Sequence, residues 1–229
     1  MNRKKILIIS QTIFPAQYPR SYRATELAKE LARQGHEIVL YAVLGEYDYL
    51  NFEIENNLKV KNIGKMWFAK LNSVNTGNRT FFDKVLRKLF SRALEFPDIE
   101  LMFKIPSILK KEKNIDLLIS VAMPHPIHWG CALASDLLKS QFPKVWIADC
   151  GDPYMGNKFR KNKPFFYFKY LEKWFCRKAN FITIPIEGAK EGYYPEFQNK
   201  IKIIPQGFKF DNNEAINSKP ENSVPTFGY

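Results

Sequence analysis

Residues 5–43 spell one structural unit, and that unit commits the chain to a parallel sheet. Lys5–Ser10 (KILIIS) is an apolar run of strand length and QTIFPAQYPR is a proline-broken loop. SYRATELAKELARQ then carries Ala24, Leu27, Ala28, Leu31 and Ala32 at the spacing of one helix face. Gly35 stands where a left-handed C-cap is wanted, and Glu37–Val43 (EIVLYAV) reads as a second strand. Two parallel strands joined by a helix cross over right-handedly. The loop after the first strand therefore opens at the carboxyl edge of the sheet, where open α/β folds bind ligands.

That loop ends in an electrostatic oddity. Arg20 and Arg23 fall at the predicted N-terminus of the helix, where the backbone already presents partial positive charge and acidic side chains are preferred. Either both guanidinium groups reach into solvent, partly offset by Glu26, or they converge with backbone N–H groups on a phosphate or carboxylate. The second reading predicts an anionic ligand.

Beyond Val43 a Gly-, Tyr- and Asp-rich stretch reads as a loop, and the alternation in Leu58–Gly64 predicts a strand. Periodicity vanishes from Lys65 to Asn78, where MWFAKL holds more large apolar groups than a solvated loop carries. Thr80 and Asp83 form a capping pattern, and FFDKVLRKLFSRALEF then places Phe81, Val85, Leu89 and Phe82, Leu86, Phe90 at helical spacing. Lys84, Arg87, Lys88 and Arg92 occupy its other face. This helix either covers the core with a basic outer side or lies in the headgroup region of an anionic bilayer. Asp98 is placed to cap a helix through Lys110, with Pro106 kinking or dividing it.

Ile115–Val121 is a nearly continuous apolar run, as in a strand buried on both faces. There follow Pro124-His125-Pro126, a helix from about His128 to Ser140, strand Lys144–Asp149 and the loop CGDPYMGNKFRKNK. Helix FFYFKYLEKWFCRKA, strand Asn180–Pro185, a short helix from Glu187 to Tyr193 and strand Lys200–Pro205 complete the alternation. It predicts an α/β, Rossmann-like three-layer sandwich with a mostly parallel sheet over residues 1–205. Residues 206–225, rich in Asn, Lys, Glu, Ser and Pro, read as a linker, and 226–229 (TFGY) as the opening of a further domain.

The charge balance calls for a partner. With 35 Lys and Arg against 23 Asp and Glu, the formal net charge is +12, which suits nucleic acid, an anionic membrane face or an acidic substrate. Aromatic residues accompany the basic ones through the middle of the chain and favour the membrane face. The basic start leads into too short an apolar run for a secretory signal, and no stretch approaches the ~20 apolar residues of a spanning helix. The expectation is a cytoplasmic protein that touches a membrane from one side at most, with Cys131, Cys150 and Cys176 as reduced thiols.

In a parallel sheet, loops after successive strands gather at one edge. The first offers Phe14, Arg20, Tyr22 and Arg23, and a later one Pro124, His125 and His128. A third offers Asp149, Asp152 and Tyr154, and the last ones Glu187 and then Gln206-Gly207. Guanidinium, imidazole and carboxylate groups drawn from different strand ends are how sheet-edge active sites are assembled. His125, between two prolines, is either a surface turn or a rigidly presented donor or base, whereas His36 after Gly35 reads as a turn residue. Asp149 and Asp152 either cap loop N–H groups or contact a ligand, and their spacing lacks the oxygens a hard cation wants, so no metal is expected. No Gly-x-Gly-x-x-Gly follows the first strand, and neither a Gly-Lys-Ser/Thr loop nor a Gly-x-Ser-x-Gly elbow occurs. Their absence argues against standard dinucleotide, nucleotide-hydrolase and serine-hydrolase chemistry.

Five blocks in order, KILIIS, FPAQYPRSYRATELAKELARQGHEIVLYA, IADCGDPY, YLEKWFCRKANFITIP and KIKIIPQGF, resemble the N-terminal half of a family 4 glycosyltransferase of the twin-Rossmann GT-B fold. The resemblance covers nearly the whole chain. It implies a retaining transferase that takes sugar from a nucleotide-sugar donor, needs no metal or other cofactor, and works in a cleft between two domains. The N-terminal domain of such enzymes chiefly holds the acceptor, and the C-terminal one, absent here, binds the nucleotide and supplies a carboxylate pair. On that basis Arg20 and Arg23 hold a phosphate or acidic sugar, and His125, Asp149 and Asp152 are the catalytic candidates, orienting an acceptor hydroxyl. Phe14, Tyr22, Pro124, Tyr154, Glu187 and Gly207 are expected to contact substrate.

One departure from the family is that PAQYPRS stands where many relatives place paired glycines beside the donor phosphates, leaving arginine contacts to substitute. Similar enzymes act at the cytoplasmic membrane face on polysaccharide or lipid-linked acceptors, and this domain alone is expected to bind weakly and catalyse nothing. Two other classes stay open: a basic α/β module that binds nucleic acid, and a flavodoxin-like enzyme complete in itself. The helical core spacing of the aromatics and the lack of a nucleic-acid motif speak against the first, and the TFGY end against the second.

Overall fold

The computed structural model describes residues 2–69, 81–158, 160 and 163–205. Its strands are β1 (Lys5–Ile9), β2 (Glu37–Ala42), β3 (Lys59–Asn62), β4 (Leu117–Val121), β5 (Val145–Asp149), β6 (Phe181–Ile184) and β7 (Ile201–Ile203). Its helices are α1 (Pro19–Arg33), α2 (Leu50–Asn56), α3 (Phe81–Leu94), α4 (Glu100–Lys111), α5 (Pro126–Leu138) and α6 (Phe168–Lys178), with 3-10 turns at Glu187–Gly192 and Pro195–Lys200. The strands form one sheet in the order β3-β2-β1-β4-β5-β6-β7, and every neighbouring pair is parallel. The chain runs outward from β1 to β3, then crosses back to lay β4 on the other side of β1. Loops leaving β1 and β4 diverge there and open a crevice at the carboxyl edge.

Helices cover both faces, which is why the central strands read as unbroken apolar runs. On one face Ala24, Ala28 and Ala32 of α1 join Ile6, Ile8, Ile38, Leu40 and Val121 in one buried cluster. Small side chains at successive turns bring the helix axis close to the sheet. Phe52 of α2 belongs to the same cluster, so the stretch read as a loop after Val43 contains a helix. Seven residues with one buried aromatic carry no periodicity of their own, and the helix is stabilised by the surface it lies on.

The opposite face buries Leu7, Ile9, Leu118, Trp146 and Ala148 with Leu101, Ile105, Trp129 and Phe175 from α4, α5 and α6. A Cβ on Gly130 would stand 2.9 Å from Ile105, so α4 and α5 pack with the glycine as their contact point. That packing explains a departure from expectation: Pro106 lies inside α4 and leaves it one helix. Burial of Leu101, Ile105, Ile108 and Leu109 outweighs the single hydrogen bond that the proline cannot donate. Nor does Asp98 cap this helix; its carboxylate accepts from Gln11 Nε2 at 2.7 Å.

α3 forms where the periodicity placed it, but Leu89 and Phe90 are 51% and 50% exposed, so these two residues are not turned into the core. It is tied down near its C-terminal end: Arg92 Nη2 donates to the Lys163 carbonyl at 3.2 Å, and the Tyr167 hydroxyl donates to the Ala93 carbonyl. The capping residue Thr80, the linker read at 206–225 and the strand start at 226–229 lie outside the described residues.

Candidate functional site

β5 ends in Asp149, and β6 carries Thr183 one residue before its end, polar side chains amid apolar ones. Asp149 closes β5, and its register partner on β6 is Thr183, which puts both side chains on one face of the sheet. Thr183 Oγ1 accordingly donates to Asp149 Oδ1 at 2.5 Å. Asp149 is only 2% exposed, and a carboxylate that deep needs its charge matched. Arg23 matches it as a two-pronged fork, Nε to Oδ2 at 3.1 Å and Nη2 to Oδ1 at 3.0 Å. Arg20 Nη1 adds a longer ion pair to Oδ2 at 4.0 Å. The first turn of α1 contains no acidic residue; Asp149 supplies the missing charge from across the crevice. This resolves the oddity of two arginines at a helix N-terminus, since one of them is a structural clamp.

Arg20 is positioned by Gly151. A Cβ at that residue would stand 1.5 Å from Arg20 Nη2, so the guanidinium lies directly on the glycine.

His125 follows β4 and is 5% exposed. Its ring meets that of Tyr154 at 4.7 Å between centroids and that of His128 at 6.0 Å. Burial, reinforced by the charges of Arg160 and Arg20 and opposed by a hydrogen bond to the Asp152 backbone, pushes the imidazole down to about 3. It is therefore neutral near pH 7, and its Nε2 has no hydrogen-bond partner. Leaving such an atom unpartnered costs about 1–3 kcal/mol, and because the atom is shut off from solvent a ligand reaches it only if neighbouring side chains move.

The loop after β5 is fastened around this ring. Glu172 accepts the N–H groups of Tyr154 at 2.7 Å and Met155 at 3.2 Å and the Tyr194 hydroxyl at 3.1 Å; burial pushes its carboxyl up. Glu95 accepts from the Tyr154 hydroxyl and from Arg160 Nη2, the latter at 3.2 Å, while the Arg160 guanidinium lies 4.9 Å above the Tyr154 ring.

Of the residues singled out from the sequence, Arg20, Arg23, Pro124, His125, Asp149, Asp152 and Tyr154 gather at this edge. Pro124 and Tyr154 are buried, and the Asp152 side chain is exposed. Both oxygens of Asp149 are committed to Arg23 and Thr183. His128 belongs to the interior: its Nδ1 lies 2.8 Å from Ser120 Oγ, which also accepts from Trp146 Nε1, and its Nε2 lies 3.2 Å from Cys150 Sγ. Glu187 is exposed and pairs with Lys190 at 3.7 Å. Phe14 and Tyr22 line a separate cavity of about 320 Å³ between α1 and α2. Gly207 is outside the described residues.

Sequence reasoning passed over Thr183, Gly151, Glu95, Arg160 and Glu172. Thr183 had a signal, as the polar interruption of an apolar strand, and so did Gly151, between a strand end and Asp-Pro. The others had none, because their partners are distant in sequence. Among the described residues no group of three or more His, Cys, Asp or Glu is arranged to hold a metal ion.

The sequence profile described as Glycosyltransferase Family 4 matches residues 21–211. The chain belongs to glycosyltransferase family 4. It is thus an N-terminal, GT-B glycosyltransferase-type domain. No curated protein sequence matches it. Among solved structures, Arabidopsis thaliana UGT89C1 complexed with UDP-L-rhamnose shares 11% identity at a TM-score of 0.52, over 92% of this chain and 50% of that one. A Listeria monocytogenes structure described as a UDP-N-acetylglucosamine 2-epimerase shares 16% identity at a TM-score of 0.49, over 88% of this chain and 45% of that one. The first likeness is one of fold. The chain spans about half the length of the structures it matches.

Proposed function

We propose that this chain is the acceptor-side domain of a retaining glycosyltransferase that moves a sugar from a nucleotide-sugar donor to a polysaccharide or lipid-linked acceptor in surface glycan synthesis. One observation carries the reading. At the carboxyl edge, a clamp of Asp149, Arg23 and Thr183 holds Arg20 over Gly151, beside a neutral His125 with an unpartnered Nε2. A guanidinium next to a neutral imidazole suits a ligand that bears a negative group near a hydroxyl. Arg20 takes the phosphate or acidic sugar, the exposed Asp152 carboxylate accepts from the acceptor hydroxyl, and His125 meets that hydroxyl once ligand entry displaces the side chains covering its Nε2. Asp149 and Arg23 act as positioning residues. Pro124 and Tyr154 shape the wall, and Glu187 contributes from the loop after β6. A second Rossmann-like domain supplies the nucleotide site and a carboxylate pair, without a metal, so that this domain alone binds but does not turn over.

The same reading places the domain on the cytoplasmic side of an anionic membrane. The half-exposed Leu89, Phe90 and Leu94 of α3, with Lys88 and Arg92 among them, support it, and so does exposed Phe166 on the loop tied to that helix. No helix among the described residues is long and apolar enough to cross a bilayer.

The test incubates the product of the complete reading frame with UDP-, GDP- and dTDP-sugars and measures released nucleoside diphosphate, with the anomeric configuration of the product followed by NMR. Release with retention supports the proposal. No release from any donor, or an inverted product, overturns it.

A further inference from the structure

The cavity between α1 and α2 takes no part in the clamp at the sheet edge. At about 320 Å³ it is at the lower end of ligand-sized clefts. One wall is aromatic: Phe14 and Tyr22 are 40% and 41% exposed, and Phe52 stacks on Phe14 at 5.4 Å with 11° between the planes. The other is polar, with Gln17, Glu26, Glu55 and Asn56. Phe14 is held from several sides. Its N–H donates to Thr25 Oγ1 at 2.9 Å, its carbonyl accepts the Tyr49 hydroxyl at 2.6 Å, and the edge of Tyr47 meets its ring at 5.4 Å. A more open groove of about 690 Å³ continues along the same two helices and shares Glu26, Lys29, Glu55 and Asn56 with the cavity.

Fixed aromatic faces opposite carboxylates and amides fit one ligand chemistry well. A pyranose ring has an apolar C–H face to lay on an aromatic and hydroxyls to donate to carboxylates. An acyl chain would desolvate Glu55 and Asn56 without replacing their hydrogen bonds, and a phosphate would meet two carboxylates with only Lys29 to offset them. Lys29 itself is paired with Glu26 at 2.9 Å. Tyr22 comes from the same first turn of α1 as Arg20 and Arg23, so one helix carries both the cavity wall and the clamp. We infer that this cavity is a glycan subsite, which grips one uncharged ring of the acceptor, away from its anionic group, and leads the chain along the α1–α2 groove. The inference rests on the acceptor-side reading given above and gives the acceptor its class: an extended glycan held well behind its reacting end.

The experiment measures binding of cellohexaose, chitohexaose and maltohexaose by calorimetry and saturation-transfer NMR, with no donor present. Wild type is compared with Tyr22→Ala, which removes one aromatic face, and Ala16→Trp, which fills the cavity from its lining. At least one hexasaccharide binds wild type and loses about tenfold or more in affinity in both variants, while their melting temperatures match wild type. Should either variant melt low, exposed Glu55→Ala replaces it in the comparison. No binding of any of the three sugars, or equal binding by wild type and variants, overturns the subsite. Donor release, measured separately, distinguishes the two claims. Cavity-dependent glycan binding by a protein that consumes no nucleotide sugar leaves the subsite and removes the transferase, and donor release with cavity-independent binding does the reverse.

Discussion

Asp149 shows how one side chain ties a site to its fold. Its carboxylate is buried, and it is stabilised there chiefly because Arg23 and Thr183 reach it. Asp149→Ala leaves the largely buried Arg23 without its counter-charge, and the expected loss is about 3–5 kcal/mol in urea denaturation. Gly151→Ala separates position from stability. The clashing atoms are the far end of Arg20, which can swing away, so stability changes by about 0.5 kcal/mol or less while the anion contact is lost. Calorimetric titration with a sugar phosphate should show Gly151→Ala as weak as Arg20→Ala. A Gly151→Ala protein that binds as wild type would show that Arg20 plays no part.

His125 makes a pH prediction. In the unfolded chain an imidazole gains its proton as pH falls through about 6.5, whereas folded His125, hemmed in by Arg20, Arg160, Tyr154 and His128, waits until about 3. Between those values the unfolded state binds more protons, so stability falls with pH by about 1.4 kcal/mol per unit from this residue. His128, held well below its ordinary value by burial, acts in the same direction. Glu172 and Asp98, raised by burial, take up protons first in the folded state as pH falls and blunt the loss. Urea midpoints from pH 7.5 to 5 should decline less steeply in His125→Gln than in wild type, and parallel curves would contradict the assignment.

Elements were legible where their own pattern was strong enough to stand without neighbours. α1 announced itself by a five-residue apolar face and Gly35, whose φ of +89° is the left-handed conformation the sequence called for. α2 did not, because one buried phenylalanine in seven residues has no period. α4 was half legible: a helix was expected there, but Pro106 suggested a break that tertiary packing overrides. The contact at Gly130 is what overrides it, so Gly130→Val should force α4 and α5 apart and cost about 1–3 kcal/mol by thermal unfolding. The exposed side of α3 belongs to the same lesson. Its period gave a helix, but which face the molecule leaves open depends on where the loop after β5 holds it. If α3 docks on lipid, Leu89→Glu with Phe90→Glu should abolish co-sedimentation with anionic vesicles at low salt, and unchanged binding would exclude α3 from the contact.

For the molecule as a whole, the alternation of strand and helix patterns was sufficient for the α/β class, the parallel sheet and the edge at which a site would lie. Those follow from chain-local periodicity and the handedness of crossovers, and both are properties of the sequence alone. The five resembling blocks carried the family for the same reason, since each is a contiguous segment. What the sequence could not reveal is which charged groups face one another. Arg23 and Asp149 are 126 positions apart, and only the parallel register of β5 beside β6, with α1 crossing near their ends, makes them a clamp beside Arg20. Charge pairing and burial depend on distance in space, and that distance is set by packing the whole chain at once.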